Sequence, residues 1–269
     1  MDLSQFIVEL SAAWAIAKKD LKMYYARPGT IMFGIMFPLF MFLSFAVGRD
    51  IPAAEALPGL TSMVVMFSSS SIGPFSIPLE RRLKTFDRLL AAPISFYSIL
   101  LGKVLAGMLY GVATGVFPIL IGVLFFNTLL VQPEILAFSL TLSAACFASM
   151  GVMFASYPTK YPGNVTIAMN FIRLPMIFVS GVFTPLEQTP AFLLSLAMLS
   201  PLTYANDLMR VSFKGEGYFN PVVDWVSLLV FTCLFLAAGV KLHSKFTELE
   251  ESPRTYFKIK LQKRQYKRM

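Results

Sequence analysis

Residues 79–96 read LERRLKTFDRLLAAPISF, a charged stretch between two long apolar runs. Its charges lie at Glu80, Arg81, Arg82, Lys84, Asp87 and Arg88. Apolar residues recur among them at three- and four-residue steps, which predicts a helix with one apolar face. These are Leu83, Phe86, Leu89 and Leu90. Pro93 should end the helix, since its ring would clash with the preceding turn. This stretch, the polar island, should face water, where it either offers charge to a soluble partner or only fixes the topology.

The composition is that of an all-α integral membrane protein. Of the 269 residues, 56% are hydrophobic, and the mean hydropathy is +0.67, which excludes a soluble domain. The net charge of +8 comes from basic residues beside apolar segments, so topology and anionic lipid explain it better than nucleic acid does. Cys146 and Cys233 each lie inside an apolar run, and His243 has no ligand-forming neighbours. Neither a disulfide nor a metal site is therefore expected.

Six apolar segments are each long enough to cross a hydrocarbon core, which takes about 20 helical residues. They are Thr30–Gly48, Pro58–Pro78, Ser98–Phe126, Glu134–Tyr157, Asn164–Thr184 and Val222–His243. Basic residues are concentrated before the first segment, in the polar island and after the last segment, whereas the alternate loops hold few. This asymmetry predicts a multi-pass protein of the cell (plasma) membrane with both termini in the cytoplasm.

The two ends of the chain differ from the apolar centre. Residues 1–28 carry an apolar stripe at helical spacing: Leu3, Ile7, Leu10, Trp14, Ala17, Leu21 and Tyr24. With lysines beside Trp14, this predicts an amphipathic helix in the membrane interface, and packing against the bundle is compatible with it. Residues 244–269 form a basic cytoplasmic tail, either held to anionic lipid or solvated. The membrane domain then covers residues 29–243.

Three features mark the interior of the predicted bundle. The second segment contains Ser68–Ser71 followed by Pro74, which indicates either a kinked helix lining a polar route, through Ser68, Ser69 and Ser71, or interhelical packing by small residues. Gly107, Gly111 and Gly115 lie four residues apart in the third segment and should permit close helix approach.

Arg173 is the only charge that we expect deep in a segment. Asn170, the serine run and carbonyls near Pro175 are its candidate partners. Arg173 and Asn170 either belong to the transport route, or Arg173 snorkels to the headgroups and only sets the depth of the fifth segment.

A short apolar run, residues 191–199, follows the fifth segment. Nine residues rise about 14 Å as a helix, only half of a bilayer core. The run should therefore dip into the outer leaflet or lie on it.

Two stretches resemble the permeases of ABC-2 type transporters. The polar island, from Glu80-Arg81 to Asp87-Arg88-Leu89-Leu90-Ala91-Ala92-Pro93-Ile94-Ser95, is similar to the coupling helix of that family, and residues 180–204 are similar to its outer re-entrant hairpin. Arg27-Pro28 lacks the acidic or amide residue that the family carries before this proline.

The resemblance implies six transmembrane helices, an N-terminal amphipathic interfacial helix, a cytoplasmic coupling helix between spans 2 and 3, and an outer re-entrant hairpin before span 6. It also implies docking of the coupling helix on a separate ATP-binding subunit through Glu80, Arg81, Arg82, Thr85, Asp87, Arg88 and Leu89.

Several function classes can be weighed on the residues themselves. The sequence has no G-x-x-x-x-G-K-[ST] motif, so ATP and Mg²⁺ are expected on the partner subunit and no enzymatic activity in this chain. An ion-coupled secondary transporter would place carboxylates at mid-membrane, but the acidic residues lie in loops or at segment ends. A membrane anchor, assembly or immunity subunit for an ATPase remains an alternative. The prediction is a transporter subunit, exporting as most of the resembled family does, paired with a second copy or a sister permease.

Overall fold

The structure, a computed structural model, describes residues 3–24, 28–46, 53–128 and 130–266. All regular elements in these ranges are helical. The α-helices are α1 Leu3–Tyr24, α2 Pro28–Ile31, α3 Phe37–Ala46, α4 Ala53–Ser69, α5 Ile72–Arg82, α6 Phe86–Leu90, α7 Phe96–Phe126, α8 Pro133–Phe154, α9 Pro162–Val179, α10 Ala191–Met198, α11 Pro201–Lys214 and α12 Pro221–Tyr266. A π-helical turn, Met32–Met36, joins α2 to α3, and a 3-10 turn covers Leu186–Gln188.

Four helical stretches of the described chain are long and apolar enough to cross a membrane: Glu55–Arg82, Phe96–Phe126, Pro133–Phe154 and Pro221–His243. They correspond to the second, third, fourth and sixth predicted segments. Ser4–Met23 and Pro28–Ser44 meet this criterion only as a pair, bent by 94°. Helix α9 does not meet it, since its polar residues lower the hydropathy. The first and fifth spans therefore remain predictions.

Helix α4 lies at the centre of the bundle, where every residue from 57 to 70 is buried. It packs on α7 through the predicted glycine face. A Cβ at Gly107 would lie 2.6 Å from the Ser69 carbonyl oxygen, and one at Gly111 would lie 1.7 Å from Ser69 Oγ. Gly115 faces Val65 at 2.6 Å in the same way. Close helix approach at these glycines is confirmed.

The prediction of one continuous helix over the polar island is wrong. Helix α5 continues from the membrane segment to Arg82, and a turn at residues 83–85 separates it from the short helix α6. Lys84 adopts a left-handed backbone with φ of 57°, which a continuous right-handed helix cannot accommodate. Ser95 then caps α7, since its hydroxyl accepts the Ser98 amide.

Helix α1 packs along α7 with a face that only partly overlaps its predicted stripe. Ala13, Ile16 and Ala17 are buried, and a Cβ at Gly102 of α7 would lie 2.7 Å from the Ala13 carbonyl oxygen. Of the predicted stripe, Ala17 is buried, whereas Ile7, Leu10 and Trp14 are at least 50% exposed. Packing of α1 on the bundle is confirmed, and its other face is left open.

The chain between α9 and α12 contains a helix that the sequence does not predict. The apolar run 191–199 forms α10 as a short helix, but it is followed by α11, whose residues from Pro201 to Met209 are all buried. The hydroxyls of Ser180, just after α9, and Ser200, just before α11, lie 2.6 Å apart and link the two helix ends. Helix α12 continues past His243 to Tyr266, so a helix extends into the predicted tail.

Candidate functional sites

Helix α6 is fixed to the bundle by one aromatic side chain. Phe86 is 3% exposed, and its ring centroid lies 6.4 Å from that of His243 on α12. The Arg81 guanidinium lies 5.5 Å from the Phe86 ring centroid, a cation–π distance. Phe86 is therefore the buried apolar anchor of the polar island, and the half-buried Leu89 packs against the same hydrophobic cluster.

Arg81 forms contacts within the protein. Its guanidinium donates to the carbonyl oxygens of Ala155 at 3.2 Å and Tyr157 at 2.8 Å, just after α8. It also lies 3.3 Å from His243 Nδ1. Arg81 thus connects the island to the end of α8 and to His243 within α12.

Glu80 belongs to a group of four charges, three of which are buried. Lys103 on α7 lies 2.6 Å from Glu80 and 2.8 Å from Asp20 on α1. Lys19 pairs with both carboxylates, at 3.1 Å from Asp20. The Lys103, Asp20 and Glu80 side chains are at most 4% exposed. We call these four residues the charge cluster; its two cations balance its two anions.

The charge cluster corrects the expectation that Arg173 is the only charge enclosed in the bundle. Lys103 is fully buried within α7. A lysine close to the start of an apolar segment looks like an interfacial residue, and its partners lie on two other helices. Burial alone would lower the pKa of Lys19, but Asp20 and Glu80 outweigh it and raise that pKa.

A second contact joins α1 to the end of the island. The Glu9 carboxylate accepts hydrogen bonds from the Ser95 amide at 3.0 Å and from Ser95 Oγ at 2.8 Å. Hydrogen bonds from the Ser98 and Ser95 side chains and the Ser95 amide lower the pKa of Glu9.

The remaining charges of the island face outward. Arg82, Lys84, Asp87 and Arg88 are exposed, whereas Thr85 and Leu89 are half-buried. Leu83 and Leu90 are 56% and 36% exposed. We call these exposed residues, four charged and two apolar, the island surface.

Arg173 lies at the break between α4 and α5, next to the serine run and Asn170 that the sequence marks as its candidate partners. Its guanidinium donates to Ser70 Oγ at 2.7 Å, Ser71 Oγ at 3.4 Å and Asn170 Oδ1 at 3.4 Å. It also lies 5.1 Å from the Phe67 ring centroid. With 1% exposure, Arg173 does not snorkel, so that alternative is wrong.

The serines of the predicted route have separate environments. Ser68 donates to the Gly34 carbonyl at 2.9 Å, inside the π-helical turn, and Ser71 donates to the Phe67 carbonyl. Ser69 is buried beside Gly111, and its hydroxyl has no partner among the described residues. The helix break predicted from the serine run and Pro74 is present at residues 70–71. The structure thus gathers Ser71, Arg173 and Asn170 and leaves Ser68 and Ser69 on packed faces.

The region around α11 carries ion pairs and a loop-binding carboxylate. Arg210 lies 2.9 Å from Glu187, and Lys214 lies 3.2 Å from Glu55. Asp207 accepts the amides of Tyr218 and Phe219 at 2.7 and 2.8 Å and so holds the α11–α12 loop. The hydrophilic residues of α11 make it look like a loop in the sequence.

Comparison with known protein families identifies the family to which this chain belongs. The model of the ABC-2 type transporter family matches residues 11–214. The chain therefore belongs to the ABC-2 type transporter family, and it is a transmembrane component of an ABC transporter.

The chain is also similar to individual known proteins. The chain is 25% identical over 179 residues to the inner membrane transport permease YadH of Escherichia coli K12, covering 66% of this chain and 70% of YadH. It is 25% identical over 236 residues to nodulation protein J of Bradyrhizobium diazoefficiens, covering 86% and 88% of the two chains. The probable multidrug ABC transporter permease YbhR of Escherichia coli is 20% identical over 203 residues, which are 71% of this chain and 51% of YbhR.

Proposed function

We propose that this chain is the permease half of an ABC exporter whose energy comes from ATP hydrolysis on a separate subunit. The family match over residues 11–214 carries the proposal. The functional unit then contains two permeases, either two copies or one copy and a sister chain, and two ATP-binding subunits.

The island surface is the proposed contact with the ATP-binding subunit. Helix α6 is short and anchored by Phe86, and the island surface around it presents both signs of charge with two exposed leucines, Leu83 and Leu90. Such a mixed surface suits a transient but specific interface, in which charge sets the register and apolar contact adds affinity. We propose that Arg82, Asp87 and Arg88 contact the ATP-binding subunit directly. The half-buried Thr85 and Leu89 would lie at the edge of this contact.

Glu80 and Arg81 take a different role in this proposal. Because Arg81 binds the carbonyls after α8, and Glu80 binds Lys103 and Lys19, both connect the island to the bundle. A displacement of α6 by the ATP-binding subunit would therefore reach α1, α7, α8 and α12 through these side chains. They transmit movement but do not touch the partner.

The proposed membrane arrangement has six spans and cytoplasmic termini. Helices α2–α3 and α9 supply the first and fifth spans, and α10 dips into the outer leaflet. The basic residues of the island and of the chain ends support this orientation, as does the open face of α1 around Trp14, which suits a membrane interface.

The proposed cargo is a small amphipathic molecule. No long loop separates the described helices, so a separate polymer-binding domain has no place within these ranges. Arg173 and Asn170 beside Ser71 provide a cationic, hydrogen-bonding position at the helix break, suited to an anionic or phosphate-bearing group.

Reconstitution tests this function directly. The permease would be co-expressed with candidate ATP-binding subunits, purified, and placed in liposomes. A stable complex that exports amphipathic substrates only when ATP is hydrolysable supports the proposal. A complex whose ATP hydrolysis drives no transport across the substrate panel would favour the anchor or immunity alternative.

A further inference from the structure

A groove separates α1 from the helices behind it. It has a volume of about 820 Å³. One wall is α1, another is α2 with the π-helical turn, and the third is α7. Its apolar lining includes Leu109, Ala113 and Phe117 of α7.

Two lysines stand at the rim of this groove. Lys18 and Lys22 lie one helical turn apart on α1, follow Trp14 by four and eight residues, and are exposed. Neither has a carboxylate within 4 Å among the described side chains, in contrast to Lys19, which is neutralised in the charge cluster. The rim therefore carries two uncompensated positive charges.

A buried hydroxyl below the rim also lacks a partner. Tyr110 lines the groove and is 6% exposed, yet its hydroxyl makes no hydrogen bond in the described part of the chain. A buried hydroxyl without an acceptor is unfavourable. Thr114, one turn further along, satisfies its own hydroxyl on the Tyr110 carbonyl at 2.9 Å. Tyr110 is therefore the donor that a ligand in the groove would satisfy.

The depth of the groove matches a lipid. Helix α7 has 31 residues and is about 46 Å long, against a hydrocarbon core of about 30 Å. Because the charges of the cluster at Lys103 are costly to place in hydrocarbon, we place the excess at the first turns of α7, so that the cluster lies beyond the core. Tyr110 is about 10 Å further along α7, and Phe117 about 21 Å. The groove thus leads from headgroup level into the hydrocarbon.

We propose that this groove binds a resident anionic phospholipid, with its phosphate between Lys18 and Lys22 and one acyl chain along α7. The Tyr110 hydroxyl donates to a polar oxygen of the lipid. Charge complementarity selects the anionic headgroup, and the apolar wall of α7 selects a chain-bearing ligand over a soluble anion. The site is separate from the Arg173 position and does not depend on transport.

Lipid titration of the purified full-length permease, followed by native mass spectrometry, tests the proposal. Phosphatidylglycerol should bind at one site more tightly than phosphatidylcholine with the same acyl chains. Lys18→Gln and Lys22→Gln should each weaken phosphatidylglycerol about fivefold, as expected for a basic residue near a lipid headgroup. Lys160→Gln, which removes an exposed lysine from the α8–α9 turn, is the matched control and should leave binding unchanged.

Tyr110→Phe separates occupancy of the groove from general surface attraction. This variant keeps the ring and the charge, and it should weaken phosphatidylglycerol about two- to tenfold through the lost hydrogen bond. Unchanged affinity in Tyr110→Phe, equal binding of the two lipids, or full competition by inorganic phosphate would each overturn the proposal. A disulfide between two copies of the Ala113→Cys variant, made in a Cys233→Ser background, would also overturn it, because a second copy of the chain would then occupy the groove.

Discussion

The charge cluster offers a direct test of how α1 is held to the bundle. Lys103→Met keeps an unbranched apolar stem but removes the ammonium that lies 2.6 Å from Glu80 and 2.8 Å from Asp20. Lys19 alone then faces two carboxylates, so one buried negative charge is left without a partner. Breaking a buried ion pair in this way costs about 3–5 kcal/mol, which corresponds to a fall in melting temperature of roughly 6–20 °C at 2–4 °C per kcal/mol.

The assay is the free energy of unfolding of the purified permease in mixed micelles, with thermal melting as a second measure. The double variant Lys103→Met/Glu80→Gln is the control, because it leaves the balanced pair Lys19–Asp20. It should be less destabilised than the single variant, even though it changes more residues. A single variant within about 1 kcal/mol of wild type, or a double variant that is worse than the single, would refute the reasoning.

Three further predictions follow from other contacts. Gly107→Ala should lower the free energy of unfolding by about 1–3 kcal/mol, since its Cβ would meet the Ser69 carbonyl oxygen at 2.6 Å. The control Gly163→Ala should leave the free energy of unfolding unchanged, because a Cβ there would meet no atom within 4 Å. Equal effects of the two variants would contradict the packing. Arg173→Gln should raise thermal stability, because no carboxylate of the described chain pairs with this buried cation. The same variant should reach normal membrane levels but lose substrate export. Unchanged export would remove Arg173 from the route. Glu9 has a lowered pKa, so the stability that it contributes is present above its unfolded-state pKa and is lost as pH falls through its folded-state pKa. The free energies of unfolding of wild type and Glu9→Gln should therefore converge at acidic pH. A difference between them that stays constant with pH would argue against the Ser95 contact.

The order of membrane elements was readable from the sequence wherever composition changes sharply. The polar island was visible as charges between apolar runs, and the glycine face of α7 by its four-residue spacing. Apart from the contact of Arg173 with the serine run, the contacts between distant residues were not readable. Lys103 meets Asp20 and Glu80 only once three helices pack together, and the apolar stripe of α1 could not show which face α7 would cover.

The least readable element was α11. Fourteen residues are too few to cross a bilayer, and Asn206, Asp207 and Arg210 make the segment look like a polar loop. Pro201 at its start and Gly215 at its end, with φ of 81°, do mark a helix. Its burial depends on the ion pairs and loop amides that satisfy these polar groups, and no local pattern predicts those.

The measurement that tests the central claim most directly is ATP-driven export by a permease with a reversed island surface. Arg82→Glu/Arg88→Glu changes two exposed charges of the island surface and leaves Glu80, Arg81 and Phe86 in place. Lys160→Glu, an exposed charge outside the island, is the control. The proposed coupling predicts normal folding and membrane levels, with export and permease-dependent ATP hydrolysis lost in the double variant and kept in the control. Normal ATP-driven export by the double variant would contradict the claim and leave the island as a determinant of topology alone.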